Sequence, residues 1–274
     1  MEAWIQAIVL GVVQGLTEFL PVSSSGHLVL AQAIFGESFE FRDMAVAFDL
    51  ALHLGTLVPV LYFYRADLRR ILTSALSRPQ LDVMGWIRGD EARWLAFMVV
   101  LGTIPTALIG LFLKDGFEAL FHSPRAVSVA LFVTGLLLWS TRWSERAEGT
   151  RSLGVWIALA IGLAQGLAIT PGISRSGSTI AVALLLGLER DQAARFSFLL
   201  SIPAITGAAV LVAKDGVGVP DGAWGALVAG CLSSMAVGYA ALVLLVALVR
   251  RGGLHRFAWY LWPVAAVGFA LTAR

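Results

Sequence analysis

A single cysteine, Cys231, is present among 274 residues. One thiol excludes an intramolecular disulfide and any cysteine-based metal cluster. It sits in an apolar stretch that begins near Gly222, where it reads as a small packing residue. Charge is also scarce: Asp, Glu, Lys and Arg together make 14% of the chain, against roughly 25% in a soluble domain. The formal net charge of +2 gives no reason to expect a nucleic-acid partner. The opening stretch MEAWIQAIVLGVVQG lacks a basic n-region and runs straight into a polar motif, so it does not read as a cleaved signal peptide. Several apolar runs lack a period-two alternation, which argues against an outer-membrane β-barrel.

What the chain has in abundance is apolar residues, at 58%, with a mean hydropathy of +0.81. The expected class is an all-α polytopic membrane protein, a single integral domain over residues 1–274. Six runs approach the length that crosses ~30 Å of hydrocarbon at ~1.5 Å per residue. They lie near 45–64, 92–113, 125–140, 195–213, 223–249 and 256–273. Two further apolar regions, 4–35 and 154–188, are interrupted near their middles by Pro, Gly and hydroxyl residues. Each reads as a re-entrant helix–loop–helix pair whose halves are too short to span and which returns to its side of origin.

Charge bias fits that topology. With both broken pairs re-entrant, one face carries Arg65, Arg69, Arg70, Arg78, Arg88, Arg93, Arg142, Arg146, Arg151, Arg190, Arg195, Arg250, Arg251 and Arg256. The other carries Arg42, Lys114, Arg125, Lys214 and Arg274, leaving Arg175 apart. By the positive-inside rule the first face is cytoplasmic, and both termini lie outside the inner membrane. Each half, about 1–145 and 146–274, then holds one broken pair and three spans, so the halves form an inverted-topology repeat. Gln14-Gly15-Leu16 recurs as Gln165-Gly166-Leu167, Gly26 recurs as Gly177, and PVSSSG faces PGISRSG. In such repeats irregular backbone collects around a cavity or ligand, so the two polar motifs are expected to meet.

The first motif, QGLTEFLPVSSSGH, holds Gln14, Glu18, Ser23, Ser24, Ser25 and His27. Gln14 and Glu18 are four apart and share a helix face, Pro21 ends that helix, and the serines cap the next. The second, PGISRSGST, holds Ser174, Arg175, Ser176, Gly177, Ser178 and Thr179. An arginine at a helix start amid glycine and hydroxyls is a receptor for phosphate oxygens, through its planar fork and the helix N–H groups. An ionisable residue at membrane depth is a functional candidate by default. Serine needs an adjacent base to attack; His27 lies two to four residues from all three serines, and Glu18 could orient it or bind a divalent metal. A phosphate-handling site is the expectation. A lipid flippase or a secondary transporter of an anion is the rival class, because inverted repeats with broken helices also build transporters.

The two motifs closely resemble the signatures of the undecaprenyl pyrophosphate phosphatases, the bacitracin-resistance family. Gln14 and Glu18 fit its Glu/Gln-x-x-x-Glu motif, and Pro171 through Thr179 match its Pro-Gly-x-Ser-Arg-Ser-x-x-Thr motif. FDLALHLGT and FSFLLSIP extend the likeness over nearly the whole chain. The resemblance implies dephosphorylation of undecaprenyl pyrophosphate to the carrier lipid monophosphate, a site open to the outside, and dependence on magnesium or calcium. It implies Glu18, Ser24, His27 and Arg175 as catalytic residues, with Ser24 the favoured nucleophile and Glu18 the metal ligand. Gln14, Ser23, Ser25, Ser174, Ser176, Gly177 and Thr179 would bind the phosphates. Family members often have Glu where this chain has Gln14, which weakens a two-carboxylate metal site. The partners expected are the polyprenyl pyrophosphate substrate and membrane lipids, with a homodimer admissible.

Asp49 and His53, four apart on the first span, read as a pair beneath the site or lining its cavity. His122 and His255 read as solvated loop residues, and eight of the nine tryptophans as interfacial anchors. Gly11 and Gly15 read as close-contact positions between helices.

Overall fold

The computed structural model describes residues 2–35, 44–77, 81–144, 149–214, 219 and 222–272. Within these, thirteen α-helices follow one another: α1 (Glu2–Phe19), α2 (Ser24–Phe35), α3 (Ala45–Phe63), α4 (Arg65–Ala75), α5 (Val83–Arg88), α6 (Glu91–Phe112), α7 (Lys114–Phe121), α8 (Pro124–Ser140), α9 (Val155–Leu167), α10 (Arg175–Leu185), α11 (Arg190–Lys214), α12 (Trp224–Arg251) and α13 (Ala258–Leu271). Five helices, α3, α6, α8, α11 and α12, are long and apolar enough to cross a membrane. Their outward faces are apolar too: on α6 Val100 and Phe112 are 64% and 81% exposed. A surface of that kind is stable in lipid and not in water, so this is a multi-pass helical membrane protein.

Three elements differ from the sequence expectation. The first half of the first broken pair is longer than expected: α1 runs unbroken for 18 residues, ~27 Å at ~1.5 Å per residue, and ends where Pro21 is expected to end it. Helix α1 tolerates its interior glycines because α12 packs flush on them; a Cβ on Gly15 would lie 2.7 Å from the Ser234 carbonyl oxygen. At the other end, α13 has only 14 residues. Its start is delayed by Gly252 and Gly253, at φ 77° and 102°, and by a 3₁₀ turn over Leu254–Phe257. Residues 65–91, read as a loop, instead form α4 and α5. On α4, Leu68 and Ile71 pack against the core, while Arg65, Arg69 and Arg70 stay exposed.

Caps explain several starts. The Asp90 side chain accepts from the Arg93 N–H at the start of α6, and Ser123 with Pro124 opens α8. The main core lies where Phe19, Leu131, Ile180, Phe196 and Phe198 meet, and a second cluster joins Leu10, Phe48, Leu52 and Leu227. Helix α1 packs chiefly on α12, and α9 chiefly on α6. Arg195 of α11 binds Asp67 of α4 at 2.6 Å and Glu91 of α6 at 2.8 Å. Those three helix ends therefore share one end of the bundle. Arg42, Arg78, Arg146 and Arg274 of the charge pattern lie outside the described residues.

Candidate active site

The chain between α1 and α2 turns within Leu20–Ser23, and Ser23 adopts φ 71°. A non-glycine residue in the left-handed region is strained by ~1–3 kcal/mol and persists only where its surroundings hold it. Here the Ser23 carbonyl accepts from the His27 N–H at 3.2 Å, and its Oγ accepts from the Gly26 N–H at 3.2 Å. The matching turn between α9 and α10 places Gly172 at φ 95°. A Cβ there would stand 2.4 Å from the Val127 carbonyl oxygen, so only glycine fits.

The two turns touch. A Cβ on Gly26 would meet the Gly172 Cα at 3.1 Å, and one on Gly177 would meet Pro21 Cβ at 3.1 Å. At this junction the Glu18 carboxylate is the hub. Its Oε1 accepts from an Arg175 guanidinium nitrogen, across 157 positions of sequence. Its Oε2 accepts from Ser24 Oγ at 2.6 Å and from Gln14 Nε2 at 3.1 Å. His53 Nε2 lies 3.6 Å from the same oxygen. Glu18 is 7% exposed, so its charge is held by Arg175 rather than by water. Arg175 Nη1 is buried with no partner, which leaves one arm of the fork ready for a further oxygen acceptor.

The remaining expected residues surround this pair. Ser174 caps α10, its Oγ accepting from the Gly177 N–H at 3.1 Å, and lies 3.4 Å from Ser176 Oγ. Thr179 donates to the Arg175 carbonyl at 2.8 Å and faces Ser197. Ser25 Oγ is 3.3 Å from Ser23 Oγ. His27 stands differently from the sequence expectation: it hydrogen-bonds neither Glu18 nor a serine side chain. Its Nδ1 lies 2.8 Å from the Ser23 carbonyl oxygen and its Nε2 2.9 Å from Tyr260 Oη. Asp49 and His53 join through the Asp49 backbone carbonyl, at 2.7 Å from His53 Nδ1, while the Asp49 carboxylate accepts from Gln32 at 3.3 Å. His255 packs edge-on against Trp139.

Sequence reasoning missed two participants, Thr134 and Tyr260, and placed a third, His53, only approximately. Thr134, midway along α8, pins the second turn: it donates to the Gly172 carbonyl at 2.8 Å and accepts from the Ser174 N–H at 3.1 Å. A lone threonine in an apolar run was the only signal for it. His53 approaches Glu18 itself, which its spacing from Asp49 half indicated. Tyr260, 233 positions from His27, left no signal in the sequence.

Among the described residues no three His, Cys, Asp or Glu side chains converge as a protein-made metal cage. What the site offers is one carboxylate, Glu18, and beside it the Gln14 Oε1, a buried acceptor without a partner. Those donors fit a hard cation that draws its remaining ligands from phosphate oxygens and water, as magnesium commonly does.

A family model described as bacitracin resistance protein BacA matches residues 7–267. The chain belongs to this bacitracin-resistance family. Its relatives include a protein of Desulfosudis oleivorans, 46% identical with 96% of each chain covered, and one of Desulfatibacillum aliphaticivorans, 44% identical with 96% of each covered. A protein of the archaeon Korarchaeum cryptofilum is 42% identical over 98% of each chain. All three are named undecaprenyl-diphosphatase. The hub at Glu18 therefore lies in a chain similar, end to end, to named phosphatases of this family.

Proposed function

We propose that the protein is an undecaprenyl-diphosphatase, which hydrolyses undecaprenyl pyrophosphate to undecaprenyl phosphate and inorganic phosphate. It would thereby recycle the carrier lipid of cell-wall synthesis and confer bacitracin resistance. The observation that carries the reading is the Glu18 carboxylate, which takes the Ser24 hydroxyl and the Arg175 guanidinium together while Arg175 Nη1 stays unpartnered. Nucleophile, base and phosphate clamp are thus in one place.

In the first step Ser24 Oγ attacks the terminal phosphorus. Its proton goes to Glu18 Oε2, the Oγ–P bond forms, and the anhydride P–O bond breaks to release undecaprenyl phosphate. Glu18 takes this role in place of His27 because Ser24 already donates to it at 2.6 Å. Arg175, with the first turn of α10 capped by Ser174, holds the phosphoryl oxygens as charge shifts onto them. In the second step water attacks the phosphoserine, its proton passing to His27. Gln14, Ser23, Ser25, Ser176, Gly177 and Thr179 line the phosphate side. A bound magnesium or calcium ion, held by Glu18 and Gln14, would neutralise charge on the diphosphate.

The finer architecture we propose is six membrane crossings plus two re-entrant pairs in an inverted repeat, set in the inner membrane with both termini outside. The pairing of α1 with α12 and of α9 with α6 supports it, since in each case the first helix of one half packs on the second long span-forming helix after the broken pair of the other. The test is phosphate release from undecaprenyl pyrophosphate by purified protein with magnesium or calcium. Release by wild type and its loss in both Glu18→Gln and Arg175→Ala is expected. Folded wild-type protein that releases none with any divalent metal would overturn the reading.

A further inference from the structure

His27 is held at both ring nitrogens, and the second contact comes from the far end of the chain. Its Nδ1 faces the Ser23 carbonyl oxygen at 2.8 Å. A carbonyl only accepts, so Nδ1 carries the hydrogen and Nε2 is the basic nitrogen of the neutral ring. Nε2 meets Tyr260 Oη at 2.9 Å. The two rings lie within 6° of parallel with centroids 5.7 Å apart, so the phenol abuts the imidazole by stacking as well as by hydrogen bond. Tyr260 is on the first turn of α13. It is 48% exposed and no core packing requires its hydroxyl.

We propose that Tyr260 is the positioning residue of His27, fixing the imidazole with Nε2 as its basic nitrogen; this rests on the hydrolytic reading above. The chemistry of a hydroxyl suits the task, because it donates to a neutral Nε2 and accepts from a protonated one. The Nε2 lone pair points at Oη, so water reaches it only as the phenol, 48% exposed, moves aside. In the second step a water O–H bond breaks, its proton arrives at Nε2, and the water oxygen bonds phosphorus. The Ser24 Oγ–P bond then breaks, Ser24 regains a proton from Glu18, and phosphate leaves. Tyr260 Oη then returns to accept from the new Nε2–H. The strained φ 71° of Ser23 has the same consequence at the other nitrogen, since it turns the Ser23 carbonyl toward Nδ1.

Two measurements on the full chain in detergent decide the matter. The first is nitrogen NMR of histidine-labelled protein without substrate, with His27 assigned by the His27→Ala variant. Tyr260→Phe is expected to shift the Nε2 signal and mix the tautomers of His27, while leaving the other three histidines unmoved. The second is phosphate release with kcat and KM separated. Loss of one such hydrogen bond predicts a kcat lower by ~10-fold in Tyr260→Phe with KM within about twofold. On the His27→Ala background, Tyr260→Phe is expected to add no further loss, because its effect runs through the imidazole. An unmoved His27 signal, or a kinetic loss that multiplies that of His27→Ala, would overturn the proposal. A wild-type chain that shows the Tyr260-dependent tautomer yet releases no phosphate would instead sink the hydrolytic reading alone.

Discussion

Exchange of Glu18 for Gln removes one charge and nothing else of consequence in size. The carboxylate is 6% exposed and its partner Arg175 16% exposed at the side chain, so neither ion is rescued by bulk water. Breaking a buried pair by deleting one partner costs ~3–5 kcal/mol, most of it the stranded charge. Glu18→Gln and Arg175→Gln should each therefore lose about that much stability. At roughly 2–4 °C per kcal/mol for a large domain, each melts on the order of 10 °C below wild type. The double variant strands no charge, and neutral exchange of both partners is close to stability-neutral. It should recover most of the loss, so the coupling approaches the sum of the two single losses, ~6–10 kcal/mol. Thermal unfolding of all four proteins in one detergent reads this directly. On the proposed mechanism phosphate release should not recover with stability, because removal of a general base and of an oxyanion clamp each costs ~100-fold or more. Single-variant losses that add within ~0.5 kcal/mol in the double would refute the reasoning, since independent sites behave that way.

Other expectations follow from the turns and from the interfacial helices. Gly172→Ala forces a Cβ to 2.4 Å from the Val127 carbonyl at φ 95°. It should cost ~1–3 kcal/mol or abolish accumulation of folded protein, read by melting temperature and yield. Thr134→Val keeps shape but unpairs the Gly172 carbonyl and the Ser174 N–H. A melting loss equivalent to ~1–3 kcal/mol, with reduced kcat, is expected although Thr134 meets no phosphate. The Ser74 hydroxyl, then the Arg93 N–H, hold the Asp90 carboxyl below its ordinary range. A depressed folded value means its stabilisation is fully present above the unfolded pKa of ~3.9 and fades as pH falls below it. The melting gap between wild type and Asp90→Asn should therefore stay constant near neutral pH and close below about pH 4; a gap unchanged in acid would remove Asp90 from the account.

Long-range order and local chemistry differed in how far the sequence disclosed them. Apolar runs located α3, α6, α8, α11 and α12 because burial in lipid demands composition, and composition is local. The meeting of Glu18 with Arg175 was legible because an unpaired ion at depth needs a counter-ion, and only these two motifs offered one. Helix ends were less legible. Proline at 21 marked the true end of α1, and Gly11 and Gly15 read as close-contact positions, but the sequence did not say that α12 is the helix that fills their grooves. The contacts of His27 were illegible for a related reason. Proximity in sequence to three serines implied a serine contact, but the helical turn from Ser24 points the imidazole back to the Ser23 carbonyl and outward to Tyr260. Nothing in the sequence of α13 singles out one aromatic among many, since a hydrogen bond across 233 positions is a property of the fold.

On the proposed inverted repeat, the recurring glutamines explain how two related halves would hold one site. Gln14 and Gln165 each sit buried with Oε1 unpartnered. Four residues on, the first half has Glu18 and the second Ile169. Gln14 Nε2 therefore serves an ionised carboxylate, whereas Gln165 Nε2 is taken up by Thr106 Oγ1 at 3.2 Å and the Leu200 carbonyl at 3.3 Å. The arginine falls the other way: Arg175 begins α10, while its counterpart in the first half is one of the serines that open α2. With Glu18 and Ser24 in the first motif and Arg175 in the second, each charged group finds its partner across the junction. One ion pair is formed where two copies of a perfect repeat would have made two of like kind, each uncompensated at a cost of several kcal/mol. On that proposal, divergence of the halves at positions 18 and 175 is what lets a buried charged site form without a stranded ion.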